Sequence, residues 1–341
     1  AGASAGPCTL GSVKSLIGHL LTGAAAAGLI RTLLAMQARK LPPTGGFRDP
    51  SPKLELARSP FRVLGAAVDW PQRDSATPRR AAISAFGFGG INAHLLVEEA
   101  NQSPGRKPGV NAKGATGSLG LSSARPPAAI IGMDLRVGAV DSLRAYQESL
   151  FNGRSTLMPP PGDRWRGCAC PLPYGRGSDG GYIDAVRMRI GEFHMPPTEI
   201  PEALPQQLLM LEVAAGALDD AGLPRRERRP RMGAVIGIAL DLNTSNFHHR
   251  WVIEAQARGW AERLGFDLTD EELAEWVGAL QAEAGPGLNA GRVQGALGGI
   301  VASRVAREFG FGGPSFGVSC GAASGLRALD IAARALAAGE V

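Results

Sequence analysis

The sequence predicts an α/β fold with a buried sheet, and three observations carry that prediction. Runs of strand length alternate with longer stretches of helical spacing, the pattern of a sheet covered by helices. The run 232–240 (MGAVIGIAL) is continuously apolar, as a strand covered on both faces is. Hydrophobic residues make up 44% of 341, enough for a sizeable core.

The elements follow in order. Residues 19–39 (HLLTGAAAAGLIRTLLAMQAR) are Ala-rich with Leu at helical spacing, so they predict a helix ended by Pro42-Pro43. Its Ala/Gly run requires one face to lie very close to a neighbour. Residues 81–98 begin apolar, pass through Gly87, Gly89 and Gly90, and end NAHLLVEE: strand, tight turn, strand. PAAIIGMDLRV (127–137) opens with a strand-like run, and 202–222 reads as a helix closed by Gly222. Residues 249–264 and 270–284 read as exposed amphipathic helices, the second with an acidic start, and 292–308 as another helix. PSFGVSCGAASGLRALDIAARALAAGE predicts strand 315–320, a small-residue turn, and a helix from Ser324 to Ala338.

Composition divides the chain in three. Residues 1–100 and 127–341 are apolar and patterned, while 101–126 are rich in Gly, Ser, Pro and Asn, the composition of a flexible linker. Its scattered charges read as solvation. Gly and Pro together are about a fifth of the chain, below the range of low-complexity disorder. The 36 basic and 31 acidic residues leave +5, without the clustered charge of a nucleic-acid binder. Arg far outnumbers Lys, which fits codon bias and carries no functional weight. Cys8, Cys168, Cys170 and Cys320 form no CxxC pair and no zinc spacing, so a reducing cytoplasm is expected rather than a disulfide framework. No membrane span is expected, because no stretch approaches ~20 uninterrupted apolar residues. The opening Ala-Gly-Ala-Ser has no Met and no leader pattern, and the ending carries no stop signal, so the chain reads as a piece of a longer protein.

The strand–turn–helix at 315–338 has the mechanics of a nucleophile elbow: a sharp turn aims a side chain into a cleft where the helix dipole favours an anion. GxSxG is absent. The sequence GPSFGVSCGAASGLRALDIAARALAAGEV instead resembles the elbow of β-ketoacyl synthases, and IIGM, FNGRSTLMPPPGDRW and GGYIDAVRMRIGEFHMPPTEIPEALPQQLLMLEVAAGALDDAGL resemble its N-terminal half in order. Residues 1–100 resemble the C-terminal end of the same family, through GSVKSLIGHLLTGAAAAGLI and ISAFGFGGINAHLLVEE. The resemblance implies a thiolase-like fold of αβαβα layers and two incomplete ketosynthase-type domains: 1–100, then the linker 101–126, then 127–341.

By that resemblance His19 is the second catalytic His, Lys14 tunes and orders its pocket, and Phe88 is the gating phenylalanine. The Phe88 N–H would complete an oxyanion hole, and Gly87, Gly89 and Gly90 let backbone approach the thioester without a Cβ. The bland alternatives are a capping His19, a surface Lys14 and a merely tight turn. Asn92 and His94 read as structural hydrogen-bonders. In the second domain the nucleophile position falls on Ala322, whose methyl cannot attack a thioester. Two readings stand: a chain-length factor that has lost its Cys, or a shifted turn in which Cys320 is the nucleophile. An engineered change at 322 is a third. Ala203–Leu208, where synthases carry Asp-Pro-Gln-Gln-Arg, favours the factor. So do GIALDLNTSNFHHRW (237–251) and ALGGIVASRVAREFGFGGPSF (296–316), which resemble the factor of polyunsaturated fatty acid synthases.

The implied function is decarboxylative Claisen condensation of malonyl units in an iterative type I fatty acid or polyketide synthase. The implied partners are acyl carrier protein, which brings the phosphopantetheine arm, malonyl and acyl thioesters, and a ketosynthase–chain-length factor pseudo-dimer. No metal or other cofactor and no nucleic acid is implied. The short linker leaves no room for an acyltransferase between the domains. Another iterative polyketide or glycolipid synthase is the enzymatic alternative, and a catalytically incomplete structural fragment the non-enzymatic one. Residues 1–100 docking on the second half, across a linker reaching about 25–30 Å, is a further structural alternative. Exposed core and poor solubility are expected. His248-His249, His194 and Cys168-x-Cys170 show no ligand set and read as structural. RRERRPR (225–231) reads as a solvated loop, with acidic carrier docking as its functional alternative.

Overall fold

A computed structural model of the chain describes residues 7–74, 77–87, 90–100, 128–159, 179–183, 185–239 and 243–341. The linker at 101–126, Cys168, Cys170, Phe88 and Gly89 lie outside the described residues. The first elements are β1 (Cys8–Leu10), α1 (Lys14–Ile17), α2 (Ala24–Ala38), β2 (Lys40–Leu41), β3 (Phe61–Val63), β4 (Val68–Asp69), β5 (Arg80–Phe86) and β6 (Asn92–Glu98). Then come α3 (Leu143–Asn152), α4 (Pro205–Asp220), β7 (Ala234–Gly237), α5 (Asn243–Leu264) and α6 (Asp270–Ala284). The chain closes with α7 (Ala290–Ala296), α8 (Ile300–Phe309), β8 (Ser315–Val318) and α9 (Ser324–Ala338). The described strands pair two by two: β1–β3 and β7–β8 in parallel, β2–β4 and β5–β6 antiparallel.

Two compact units emerge, and they cut across the division read from composition. One unit holds Ala1–Asp184, Gly216–Leu223 and Cys320–Val341; the other holds Ala185–Ala215 and Pro224–Ser319. Composition sees the linker; it cannot see which distant segments share a core.

In the first unit α2 is the organising element. Its small residues let neighbours approach on two sides. On one, Ala25 clusters with Ile83 and Ala85 of β5 and with Ala323 and Leu326 of the α9 turn. On the other, Ala27 and Leu34 join Val13, Leu16, Ile17, Met133, Leu135, Tyr146 and Leu150. The Tyr146 hydroxyl, fully buried, donates to the Ala27 carbonyl at 3.0 Å. By length and composition the stretch Leu21–Ala38 is apolar enough to cross a membrane, contrary to the sequence expectation. Its buried Leu34, Ala35 and Met36 make it a core helix here. Arg31 reaches from it to the Pro42 carbonyl at 3.1 Å, and its guanidinium fills the space a Cβ on Gly11 would need. Arg39 closes α2 in the left-handed region (φ 53°), ahead of the Pro42-Pro43 stop.

The expected strand at the start of 127–137 does not form in residues 128–136. The end of α4 holds that segment instead: Met133 N–H donates to Asp220 Oδ2 at 2.9 Å, and Gly132 lies against the Ala217 carbonyl. A backbone tied to a helix end has no ladder partner.

In the second unit β7 and β8 pair from Ala234↔Ser315 to Gly237↔Val318. The helix expected over 292–308 is two helices, α7 and α8. The cause is Gln207, fully buried on α4, whose amide donates to the carbonyls of Gly295 and Leu297. A continuing helix would need those acceptors. α5 and α6 are less exposed than expected, because Ile253 and Ala257 bury against Leu273 and Val277.

Candidate functional site

The strand before the elbow is shorter than its sequence implies. β8 ends at Val318, and Cys320 sits beyond it in the turn, half-buried rather than buried on a strand. The turn is tied by Ser324, which has no exposed surface. Its hydroxyl donates to the Gly321 carbonyl at 2.7 Å and accepts from the Cys320 N–H at 2.8 Å. Ala323 N–H donates to the Cys320 carbonyl and Ser324 N–H to that of Gly321. Gly321, at φ 55°, takes the left-handed bend that a side chain disfavours. Ala322 and Ala323 are buried at the head of α9. The helix end supplies partial positive charge there, but position 322 presents only a methyl.

The glycine loop joins β5 to β6. Gly87 N–H donates to the Ile91 carbonyl at 2.7 Å, and Gly90 N–H to the Gly87 carbonyl at 3.3 Å. Gly90 stands at φ 84°, so a β-carbon there is strained. The loop lies on the elbow: a Cβ built on Gly87 falls 3.5 Å from the Cys320 carbonyl oxygen. His94 pairs across the hairpin with Ser84, Nδ1 to Oγ at 2.8 Å, the structural bond its sequence context implies. Asn92 opens β6 opposite Phe86.

His19 follows α1 and Gly18, which turns at φ 76°. Its Nδ1 accepts from the Leu21 N–H at 3.0 Å. In the neutral imidazole this leaves the proton on Nε2, a donor directed away from its own turn. Leu21 is held at φ 47°, a costly conformation for a side-chain-bearing residue. The Thr22 carbonyl, next along, lies 3.5 Å from where a Cβ on Gly325 of α9 would stand. Lys14 opens α1 and is exposed. Thus the loop and the turn after His19 both lie on the elbow segment. A helix N-terminus, loop amides and an imidazole N–H can together stabilise negative charge on a carbonyl oxygen.

Sequence reasoning misses two anchors. Ser324 reads from the sequence as a helix start and is the tie of the elbow; the signal is a lone hydroxyl in a small-residue turn at a helix N-terminus. Glu308, its side chain 5% exposed, carries no local signal of its role. It accepts from the His194 N–H at 2.7 Å and lies 3.1 Å from both His194 Nδ1 and Arg226 Nη2. The His194 loop and the 225–231 run are therefore partly anchored rather than simply solvated. Arg229 likewise donates to the Pro224 carbonyl and pairs with Glu227. His249 is exposed, and the side chain of His248 lies outside the described residues. Among the described residues no three His, Cys, Asp or Glu side chains stand together as metal ligands.

Comparison with known proteins gives a consistent result. Residues 125–341 match the family described as beta-ketoacyl synthase, N-terminal domain, and residues 1–48 match its C-terminal domain. A polyunsaturated fatty acid synthase subunit of Thraustochytrium sp. (strain ATCC 26185 / S-3) is 32% identical over 97% of the chain, which spans 15% of that relative. A phenolphthiocerol/phthiocerol polyketide synthase subunit of Mycobacterium tuberculosis (strain ATCC 25618 / H37Rv) is 48% identical over 28% of the chain, which spans 6% of it. The solved PfaC keto synthase–chain length factor superposes with a TM-score of 0.52 at 27% identity, covering 98% of this chain and 34% of that one.

Proposed function

Because the chain belongs to the β-ketoacyl synthase family, with a thiolase-like α/β fold, we propose that it is the junction of a ketosynthase and a chain-length factor in an iterative synthase of the polyunsaturated fatty acid kind. The parent protein would carry out decarboxylative condensation. An acyl thioester passes to a cysteine, malonyl thioester loses carbon dioxide, and the enolate attacks the acyl carbonyl. In this reading His19, ordered by Lys14, and the loop Gly87-Phe88-Gly89-Gly90 neutralise charge on thioester oxygens. Ala322 marks a nucleophile position without a nucleophile, and the domain bearing it shapes the chain tunnel as the partner in a pseudo-dimer. The substrates are malonyl and acyl thioesters on acyl carrier protein, whose phosphopantetheine arm is the only prosthetic group proposed. The compartment proposed is the cytoplasm.

One observation carries the reading: a ketosynthase C-terminal match precedes a ketosynthase N-terminal match in one chain, and the elbow of the second has alanine at 322. Likeness to a synthase subunit of Thraustochytrium over nearly the whole chain supports the fatty acid assignment. The test is the coding sequence several hundred codons to either side. An upstream Cys elbow and first His, with dehydratase-like domains downstream, is the expected result. An acyltransferase or reductase directly downstream would favour another polyketide or glycolipid synthase, and no upstream elbow would overturn the enzymatic reading. The 341-residue chain itself should not turn over malonyl thioester. Turnover abolished by alkylating Cys320 would replace the factor assignment with an active second domain.

A further inference from the structure

We propose that residues 8–100 serve the elbow at 320–326 of the same chain, so that one thioester-binding site is assembled from the C-terminal part of one ketosynthase-type domain and the N-terminal part of the next. The chemistry of that site rests on the reading above; the assembly rests on geometry.

Three groups of contacts bring the segments together. Ala25, Ile83 and Ala85 bury with Ala323 and Leu326 in one apolar cluster. A Cβ on Gly325 would sit 3.5 Å from both the Ala26 Cβ and the Thr22 carbonyl oxygen, so α2 and α9 touch where both are small. The glycine loop lies on the Cys320 carbonyl through Gly87. A second set of bonds, on the other side of α2, holds the same segment to residues 128–183. Tyr146 donates to the Ala27 carbonyl, and Thr156 donates through both N–H and hydroxyl to that of Leu16, at 2.8 and 3.0 Å. Gly181 lies against the Ile17 carbonyl, with no room for a side chain. Hydrogen bonds to buried backbone carbonyls are specific in a way that apolar collapse alone is not. The same docking sets the loop and the His19 turn against an elbow from the second domain.

The experiment uses the full chain. In the double variant Ala26→Cys/Gly325→Cys the two β-carbons lie at a separation suited to a disulfide. Mild oxidation should give a monomer two mass units lighter, with residues 26 and 325 joined in one peptide pair. Exclusively intermolecular links, or none, overturn the assembly and leave the condensation reading of the parent synthase standing. If the double variant does not fold, Ile83→Ala replaces it. Mapped alkylation of the native Cys320 should then rise at least about threefold against exposed Cys8, and an unchanged ratio overturns the assembly. The site is read with Ala322→Cys and the acetyl thioester of N-acetylcysteamine. The introduced thiolate attacks the carbonyl, its C–S bond forms as the old one breaks, and N-acetylcysteamine leaves as a thiol with the proton. Acetylation at 322 should outpace that of Cys8 and fall about tenfold with His19→Ala. Acetylation no faster than at Cys8, or indifferent to His19→Ala, overturns the composite site even where the disulfide forms.

Discussion

Tyr146 shows how a single side chain ties chemistry to stability. Its hydroxyl is fully buried and donates to the Ala27 carbonyl at 3.0 Å. Burial pushes its pKa well above the ordinary phenol value, with the nearby Arg31 charge opposing. Between those two values the folded chain keeps a proton that the unfolded chain releases. The contribution is therefore complete below about pH 10 and is lost as pH rises toward the folded value. Denaturant midpoints followed from about pH 9 to 11 should fall more steeply in the parent chain than in Tyr146→Phe, which should cost about 1 kcal/mol at neutral pH. Equal slopes would remove Tyr146 from the account. Gly181 offers a steric counterpart. Its backbone meets the Ile17 carbonyl, so an added methyl has to displace main chain. Gly181→Ala should lower stability by about 1–3 kcal/mol, as overpacking does, and thermal melts read it directly.

Among the elements, α6 is the one whose start is most legible. Its acidic first turn follows Thr269, and the structure shows a reciprocal cap. Thr269 Oγ1 accepts from the Glu272 N–H, while Glu272 Oε2 accepts from the Thr269 N–H at 2.8 Å and its hydroxyl at 2.9 Å. The backbone bond first, then the hydroxyl, holds the Glu272 carboxyl below its usual range. A depressed carboxylate contributes above its unfolded value and loses that contribution as pH falls through the folded one. Helical circular dichroism should thus decline in acid less in Glu272→Gln than in the parent chain. Thr269→Ala should cost about 1 kcal/mol at any pH above that range. The hairpin that α6 forms with α5 is not legible. Two amphipathic helices read as surface elements, and only tertiary packing shows Ile253 and Ala257 meeting Leu273 and Val277, with Phe266 edge-on to Trp276 at 6.3 Å. Ile253→Ala should destabilise by about 2–5 kcal/mol in denaturant titration.

At the scale of the whole molecule, each unit keeps apolar side chains in solvent. In the first, Phe86 and Leu96 project from the same outer face of the β5–β6 hairpin, 71% and 67% exposed. In the second, Trp251, Leu264 and Phe266 are all more than half exposed. Single exposed apolar residues are ordinary, but groups of this kind drive association. The isolated chain should therefore self-associate as its concentration rises in light scattering. Phe86→Ser with Leu96→Ser should reduce that association without loss of β5–β6 pairing. A monodisperse parent chain at all concentrations would contradict this.

Local pattern determined much of this protein. The Ala-rich helix α2, the β5–β6 hairpin, the glycine loop and the small-residue turn into α9 are all short-range features. Each is written in the spacing and steric demands of neighbouring residues. The candidate site was legible to the same extent: His19, Gly87 and Ala322 stand in recognisable local settings. Tertiary structure decided which of these settings share a core. No periodicity reports that Ile83 buries against Leu326, or that Gln207 captures the carbonyls that would join α7 to α8. It equally decided that Asp220 and not a strand partner takes the Met133 N–H. Those outcomes depend on long-range hydrogen bonds and close approaches between segments far apart in the chain, and a local pattern carries no information about its distant partner.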